Sequence, residues 1–273
     1  MEKKLPIYTD PAYGIEFIVD VEKFEFREMA NPENRYTLED IIDLGEEGYR
    51  FDHFDKTSRQ DLTITPPQFV TLAPREMAEK YNKAVEEILL LTDFELMVDQ
   101  QALTRRINRG ELPTVEIGGH IFYADARIDL LRPKDVLSTM GIRFDDLEDW
   151  YVEDRNVYAF PYDPKNFEIG DREWDKILDY PIDLIFVEIP YVRTLDPVGW
   201  NRRNGWEEME GLKETGCVLT LRLSWCRGIN LELMKLLRKI ELNSRSGKQL
   251  KKIKGKKVKR DEKCSPGKCS RQT

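Results

Sequence analysis

The sequence predicts an α+β fold built from two related small modules that a helical connector joins. Three observations support this prediction: an internal repeat, short stretches with the alternation of β-strands, and amphipathic helical stretches between them. Each module is expected to contain a β-hairpin, a short helix and further strands. The expected domains are a first α+β module (1–74), a helical connector (75–111), a second α+β module with a C-terminal strand and helix (112–244), and a disordered basic tail (245–273).

The repeat opens with a shared pattern of Gly, Phe, Asp and Arg. Residues 14–27 read GIEFIVDVEKFEFR, and residues 119–132 read GHIFYADARIDLLR. We predict that the shared residues form the frame of the repeated fold, with each Asp pairing with the Arg of its own copy. The alternative is that the two carboxylates converge on a metal or on a proton-transfer site. The residues concerned are Phe17, Asp20, Arg27, Phe122, Asp125 and Arg132.

Two further segments continue the repeat in the same order. YRFDHFD (49–55) corresponds to VYAFPYD (157–163), and PQFVTLAP (67–74) corresponds to PYVRTLDP (190–197). The extra length of the second copy falls between its two segments, where a surface excursion is tolerated. The order of the matches favours a duplication. The alternative is that both regions are ordinary hairpins that use the few residue types common in turns.

Alternation predicts the first strands of each module. Residues 15–21 and 120–126 alternate between apolar and polar side chains. IGGH at 117–120 predicts a tight turn, so that residues 113–126 form a hairpin. The first copy has TDPAYG at this point, which predicts a looser connection.

The rest of the first module is expected to contain one short helix and two strands. Thr37 followed by Asp40 resembles a helix N-terminus, so LEDIIDLG is expected to form a helix that ends near Gly45. The segments GYRFDHF and QFVTL are expected to return as strands.

The connector is predicted to be helical. Pro74 suits the first turn of a helix, whose apolar face would carry Met77 and Ile88. A second helix is expected to start with a capping box formed by Thr92 and Glu95, and to stop at Gly110. After the second copy, residues 218–225 predict a strand and residues 230–240 predict a helix.

Composition indicates a cytoplasmic protein with an uneven charge. No stretch approaches the 18 apolar residues of a membrane span, and the N-terminus lacks the apolar core of a signal peptide. Four cysteines are too few for a disulfide framework, which agrees with a reducing compartment. Residues 245–273 carry 12 basic and 2 acidic side chains, whereas the other residues carry 31 basic and 49 acidic side chains.

The basic tail is the candidate nucleic-acid-binding segment. Its lysines could bind phosphate groups without sequence preference, although it has no aromatic side chain to stack on bases. The alternative is a solvated terminus with no dedicated partner. The candidate contact residues are Lys251, Lys252, Lys254, Lys256, Lys257, Lys259 and Arg260.

The sequence contains no catalytic or cofactor-binding signature. The only histidines, His53 and His120, lie outside any recognised catalytic motif, and no Gly-rich phosphate loop is present. The spacing of Cys217 and Cys226 suits a structural zinc site poorly, although Cys264 and Cys269 fit it marginally. We therefore predict no catalytic residues, no metal and no cofactor.

Several segments resemble a family. LPTVEIGGHIFYADARIDLLRPKD, TDFELMVDQQALTRRINRGELP and LDPVGWNRRNGW resemble uncharacterised proteins encoded on conjugative and other mobile elements of Bacteroidota. The resemblance covers most of residues 5–225 and fades in the basic tail. It implies no activity, cofactor or catalytic residue. Its association with mobile DNA favours a role with nucleic acid or in host defence.

Four functions are open at this point, and the first is favoured. The chain could be a non-enzymatic accessory protein that binds a protein partner through its paired modules. It could instead contact nucleic acid through its tail, imitate DNA with its acidic body, or hydrolyse a substrate with a metal held by carboxylates. If the two copies pack together, the cleft between them is the place to look for a site.

Overall fold

The structure, a computed structural model, describes residues 5–55, 59–170 and 183–221. They form short helices and small, mainly antiparallel sheets, which confirms the α+β class. All of these residues belong to one compact unit, so the two copies pack together. No helix among them is long and apolar enough to cross a membrane.

Each copy begins with a four-stranded antiparallel meander. In the second copy a short parallel strand, β16, is added beside the first strand of the meander. The first meander consists of β1 (Ile7–Thr9), β2 (Glu16–Asp20), β3 (Glu25–Glu28) and β4 (Arg35–Tyr36). The second consists of β8 (Thr114–Ile117), β9 (His120–Asp125), β10 (Leu130–Pro133) and β11 (Ile142–Arg143), with β16 at Thr220–Leu221.

The two meanders have the same register at the residues that the sequence repeat matches. Arg27 lies opposite Ile18 in the first, and Arg132 lies opposite Tyr123 in the second. Outside the ladders the match continues, because Val19 N donates to Pro6 O at 2.9 Å and Ala124 N donates to Pro113 O at 2.8 Å. The hairpin turn at Gly118 and Gly119 has positive φ at both residues, as the IGGH segment predicts.

A second small sheet follows in each copy and is built around one long strand. On one side that strand pairs with one two-residue strand in the first copy and with two in the second, and on the other side it pairs with the strand that leads to the next helix. In the first copy the strands are β5 (Ile42–Asp43), β6 (Tyr49–Asp55) and β7 (Gln60–Ile64), with a 3₁₀ turn at Gly45–Glu47. In the second they are β12 (Tyr151–Val152), β13 (Val157–Asp163), β14 (Glu168–Ile169) and β15 (Ile185–Pro190), with 3₁₀ turns at Asp145–Trp150 and Glu153–Arg155.

The register of this second sheet aligns Tyr49 with Tyr158. Tyr49 N donates to Pro66 O, and Tyr158 lies opposite Ile189, so each tyrosine faces the residue before the matched proline of its copy. The segments YRFDHFD and VYAFPYD are therefore offset by one residue. The offset places His53 where the second copy has Tyr162.

A pair of consecutive helices completes the repeat. In each copy the first helix is a single turn and the second begins with a proline. The helices are α1 (Phe69–Leu72) and α2 (Pro74–Tyr81) in the first copy, and α6 (Val192–Leu195) and α7 (Pro197–Asn204) in the second. The residues before α1 and α6, Gln68 and Tyr191, have nearly identical backbone angles. The repeat therefore continues through α2 and α7, beyond the proline at which the sequence places the connector.

The connector holds three further helices, and one helix follows the second copy in the part of the chain that the structure describes. They are α3 (Val85–Ile88), α4 (Asp93–Met97), α5 (Gln100–Asn108) and α8 (Leu212–Thr215). Thr92 and Glu95 form both halves of the predicted capping box, and Gly110 has a positive φ just beyond α5. The helix expected to run from Thr92 is broken, because Val98 is extended and the Asp99 side chain caps a new helix.

Three clusters of buried side chains form the core of the described residues. Phe17 and Phe122 are fully buried at equivalent positions, one in the cluster of each copy. A third cluster joins the connector to the end of the second copy, where Leu103 packs with Val198 and Leu212. Burial of this apolar surface supplies most of the stabilisation of the unit.

Two expected elements are wrong. Thr37 N donates to Asp40 Oδ2 as in a helix start, but Asp40 N donates to Thr37 O as in a turn, and Ile42 enters a strand opposite Arg50. The QFVTL segment is helical from Phe69, because Pro66 and Pro67 lack the N–H groups that a central strand needs. Of the predicted strand at 218–225, only residues 220–221 are in a strand, and the part from 222 onward lies outside the described residues with the helix at 230–240.

Candidate functional site

One cleft of the described residues lies between the two copies. It has a volume of about 840 Å³, within the range of ligand sites in proteins. One wall comes from residues 38–43 and Tyr49 of the first copy. The other comes from residues within 151–156 and 191–194, and residues 210–215, which include α8, complete the lining.

Lys213 joins the copies where Asp43 lines the cleft. Its side chain is 5% exposed, and its Nζ lies 2.7 Å from Asp43 Oδ1. The same Nζ lies 4.8 Å from the centre of the Tyr49 ring, a cation–π contact. A buried lysine needs such partners, because an unpaired buried charge is costly.

Behind the Tyr49 ring lies a buried carboxylate, Asp93. It accepts hydrogen bonds from Tyr49 Oη at 2.7 Å, from Phe69 N at 2.7 Å and from Val70 N at 2.9 Å. Burial raises the pKa of the Asp93 carboxyl, whereas these hydrogen bonds and the charge of Lys213 lower it. Asp93 thereby fixes both the Tyr49 ring and the start of α1 beneath the cleft.

Arg193 is the second cation in the cleft, and it is also paired within the protein. Its Nη2 lies 3.1 Å from Glu214 Oε2. Gly211 has a positive φ, and a Cβ there would overlap the Arg193 guanidinium, so a glycine is needed for this approach. Both basic groups of the cleft are thus occupied by carboxylates of the chain itself.

Three carboxylates of the cleft are left over: those of Glu39, Glu153 and Glu210. All three are exposed, and none has a hydrogen-bond or ion-pair partner among the described residues. Glu39 comes from the first copy, yet its charge acts on Glu214 of the second. Burial, together with the charge of Glu39, raises the pKa of the Glu214 carboxyl against the opposing effect of Arg193. Negative charge from both copies therefore converges in one place.

Tyrosine rings cover the wall of the second copy. Tyr151 and Tyr191 line the cleft with ring centres 5.0 Å apart. Tyr158 and Trp200 pack behind Tyr191 at 5.4 and 5.7 Å. Burial raises the pKa of Tyr191 to about 12, so its phenol stays neutral and offers a ring face rather than a base.

The residues of the predicted frame lie elsewhere. Phe17 and Phe122 are core residues, and Arg27 Nη2 lies 3.9 Å from Asp20 Oδ2, as the internal pairing predicts. Arg132 is exposed and faces the Tyr123 ring at 5.9 Å. No ion pair joins it to Asp125 in the described part of the chain.

Asp125 belongs to a buried ionic group of the connector. Its charge acts on Arg106, which makes two hydrogen bonds of 2.9 Å to Asp196. Asp20 and Asp125 therefore serve different local structures and have no common site in the described residues. The equivalent aspartates keep the register of the repeat but have diverged in their contacts.

Each histidine bonds a tyrosine of its own copy. His53 Nδ1 lies 2.9 Å from Tyr36 Oη, and His120 Nδ1 lies 2.8 Å from Tyr162 Oη. His53 and Tyr162 hold equivalent positions, but their partners lie in strands that are not equivalent, Tyr36 in β4 and His120 in β9. These pairs connect the long strand of each second sheet to its meander.

The tail lysines from Lys251 to Arg260 lie outside the described residues, as do Cys226, Cys264 and Cys269. Cys217 is buried beside the Arg106–Asp196 pair.

No family model, curated protein or solved structure matches the chain, so only the geometry of the cleft bears on its role.

Sequence reasoning pointed to the space between the copies but to none of the residues that line it. Glu39, Glu153 and Glu210 belong to no motif. Lys213 lies 170 residues from Asp43, so their contact depends wholly on the fold. One available signal was Gly211 beside the charged run that ends at Glu214, since a glycine there is compatible with a close approach.

Proposed function

We propose that this chain is a non-enzymatic accessory protein of a mobile genetic element that binds a protein partner in the cleft between its two copies. The observation that carries the proposal is the composition of the cleft. It combines tyrosine faces with three carboxylates that have no partner among the described residues, while both of its cations are already paired. Such a surface suits recognition, because its tyrosine faces and its unpaired carboxylates can contact a ligand without breaking a contact within the chain.

The placement of the cleft agrees with a binding role. Its two walls belong to different copies, and Lys213 with Asp43 connects them. A volume of about 840 Å³ accommodates several side chains of a partner segment. The association with mobile elements rests on the resemblance of residues 5–225, and a cytoplasmic location rests on the composition.

The test is site-specific photocrosslinking in host cells. A photoreactive residue replaces Ile42, which lines the cleft and is 50% exposed, or Leu90, which is 85% exposed and does not line it. The proposal predicts that one defined protein is crosslinked at position 42 and is not crosslinked at position 90. Equal crosslinking at both positions, or crosslinking at position 90 alone, would contradict it.

The basic tail favours a second candidate function, contact with nucleic acid. The tail carries 12 basic residues against 2 acidic ones, which is the charge pattern of a non-specific phosphate contact. We expect duplex DNA to bind the full chain at low salt and to be released as salt rises. Deletion of residues 245–273 should abolish this binding, and binding that survives the deletion would contradict the role of the tail.

A further inference from the structure

We propose that the cleft recognises arginine side chains on a basic segment of the partner protein. This inference rests on the proposed function and specifies the chemistry of the partner. The cleft offers the two groups that a guanidinium binds best, carboxylates and aromatic faces. Its lining residues include Glu39, Glu153 and Glu210 together with Tyr151 and Tyr191.

The charges of the cleft favour a cationic ligand. Lys213 is neutralised by Asp43 and Arg193 by Glu214, so both cations of the cleft already have a carboxylate partner. The carboxylates of Glu39, Glu153 and Glu210 stay unpaired among the described residues. A basic segment would therefore gain ionic contacts, whereas an acidic segment or a nucleic-acid backbone would be repelled.

The two walls place negative charge on both sides of the ligand. Burial and the charges of Glu153, Glu148 and Glu39 raise the pKa of Tyr151, and burial together with the charge of Glu39 raises that of Glu214, so the charge of the first copy acts on the wall of the second. This mutual repulsion across the cleft is relieved when a cation lies between the walls. A ligand cation thus stabilises the junction of the copies and is bound by residues of both.

The tyrosines favour arginine over lysine. The rings of Tyr151 and Tyr191 lie 5.0 Å apart and are inclined to one another by 52°, so together they form a bent aromatic wall. A planar guanidinium can stack on one ring and still reach carboxylates in its own plane. An ammonium group is a point charge without a flat face, and it forms only the ionic contacts.

The test measures the affinity of three short synthetic peptides by calorimetry with the full chain. They contain glycine alternating with arginine, with lysine or with glutamate. We expect the arginine peptide to bind, the lysine peptide to bind roughly 3- to 10-fold more weakly, and the glutamate peptide not to bind. Equal binding of the arginine and glutamate peptides would overturn the inference, and so would tighter binding of the lysine peptide.

Variants of the chain locate the binding. Glu39→Gln and Glu153→Gln should each weaken the arginine peptide roughly 3- to 10-fold, because each removes one charge that faces the ligand. Tyr191→Leu should remove the preference for arginine over lysine. Glu86→Gln is the control, since Glu86 is an exposed helical carboxylate that does not line the cleft. Equal effects of Glu39→Gln and Glu86→Gln would place the peptide outside the cleft and refute the inference.

The two proposals fail in different ways. If a partner is crosslinked at position 42 while the arginine peptide does not bind, the cleft binds a protein but arginine is not the recognised group. If the peptide binds in the cleft and no partner is crosslinked there, the chemistry of the cleft is correct and the proposed function is wrong.

Discussion

Lys213 Nζ lies 2.7 Å from Asp43 Oδ1, and this ion pair joins the second copy of the repeat to the first. The lysine is buried, whereas the aspartate is about half exposed at the mouth of the cleft. The Tyr49 ring beneath the ammonium is held in turn by Asp93. One short chain of contacts thus runs from the mouth of the cleft to the core of the first copy.

Replacement of Lys213 by methionine tests this junction. The variant keeps an apolar stem but loses the ion pair and the cation–π contact, so we expect the free energy of unfolding to fall by about 1–2 kcal/mol. The loss stays moderate because Asp43 is left facing water. Urea denaturation measures it. Lys83→Met is the control: its pair with Glu87 is exposed and 3.8 Å long, and its loss should cost less than about 0.5 kcal/mol. Equal effects of the two substitutions would show that the junction contributes nothing of its own.

Replacement of Arg106 by methionine should have a larger effect. Arg106 and Asp196 are both buried and make two hydrogen bonds of 2.9 Å, so the variant leaves an uncompensated buried carboxylate. We expect a loss of about 3–5 kcal/mol, measured by urea denaturation at low temperature.

The neighbouring residue of the same helix supplies the control. Arg105 makes an exposed pair with Glu111, so Arg105→Met should cost less than about 1 kcal/mol. A loss below that value for Arg106→Met would mean that the buried pair does not form.

Cys217 should be unreactive in the folded protein. Burial raises the pKa of its thiol to about 11, so little thiolate exists at neutral pH. We expect alkylation by iodoacetamide at pH 8 to be at least on the order of 100-fold slower than in the unfolded chain. Mass spectrometry of the peptide that contains residue 217 measures the rate separately from the other cysteines. Rapid labelling in the folded state would contradict the burial.

The Asp93 carboxyl should make stability depend on pH. Its pKa is raised by burial, so the folded state binds the proton more tightly than the unfolded state. The protonated Asp93 carboxyl contributes fully to the free energy of unfolding below the ordinary Asp pKa of about 4. This contribution decreases as pH rises through the pKa that Asp93 has in the folded state.

The comparison of wild type with Asp93→Asn isolates this effect. As pH rises above about 4, the free energy of unfolding of the wild type should decrease relative to that of Asp93→Asn. Denaturation curves at several pH values measure this difference. A constant difference would show that the carboxyl does not change its protonation in that range.

The repeat could be predicted from the sequence because its strongest matches are residues that the fold needs. Phe17 and Phe122 fill equivalent core positions, and the matched glycines Gly14 and Gly119 both have positive φ. The capping box at Thr92 is likewise local, since both of its hydrogen bonds join residues three apart. Such short-range patterns determine structure with little help from the rest of the chain.

The two wrongly predicted elements are determined by contacts with residues outside their own segments. Ile42 follows a good helix start but pairs with Arg50 across a tight turn. The segment QFVTL is predicted to be a strand, yet the N–H of Phe69 donates a hydrogen bond to Asp93, which lies 24 residues later in the sequence. Tertiary contacts overrode local propensity at both positions.

The residues that line the cleft could not be predicted from the sequence for the same reason. Its carboxylates come from the first copy, from the second copy and from the loop that follows, and each is an ordinary exposed glutamate when read alone. Only the packing of the copies brings them around the tyrosine wall. The duplication could therefore indicate where a site lies without identifying its residues.

The most direct test of the account is an NMR titration of the full chain with the alternating arginine–glycine peptide. We predict that the amide signals of residues 38–43, 151–156, 191–194 and 210–215 shift together and saturate, whereas those of the hairpin at 114–125 do not move. Shifts confined to residues outside these four segments would contradict the claim that the two copies form one arginine-binding cleft.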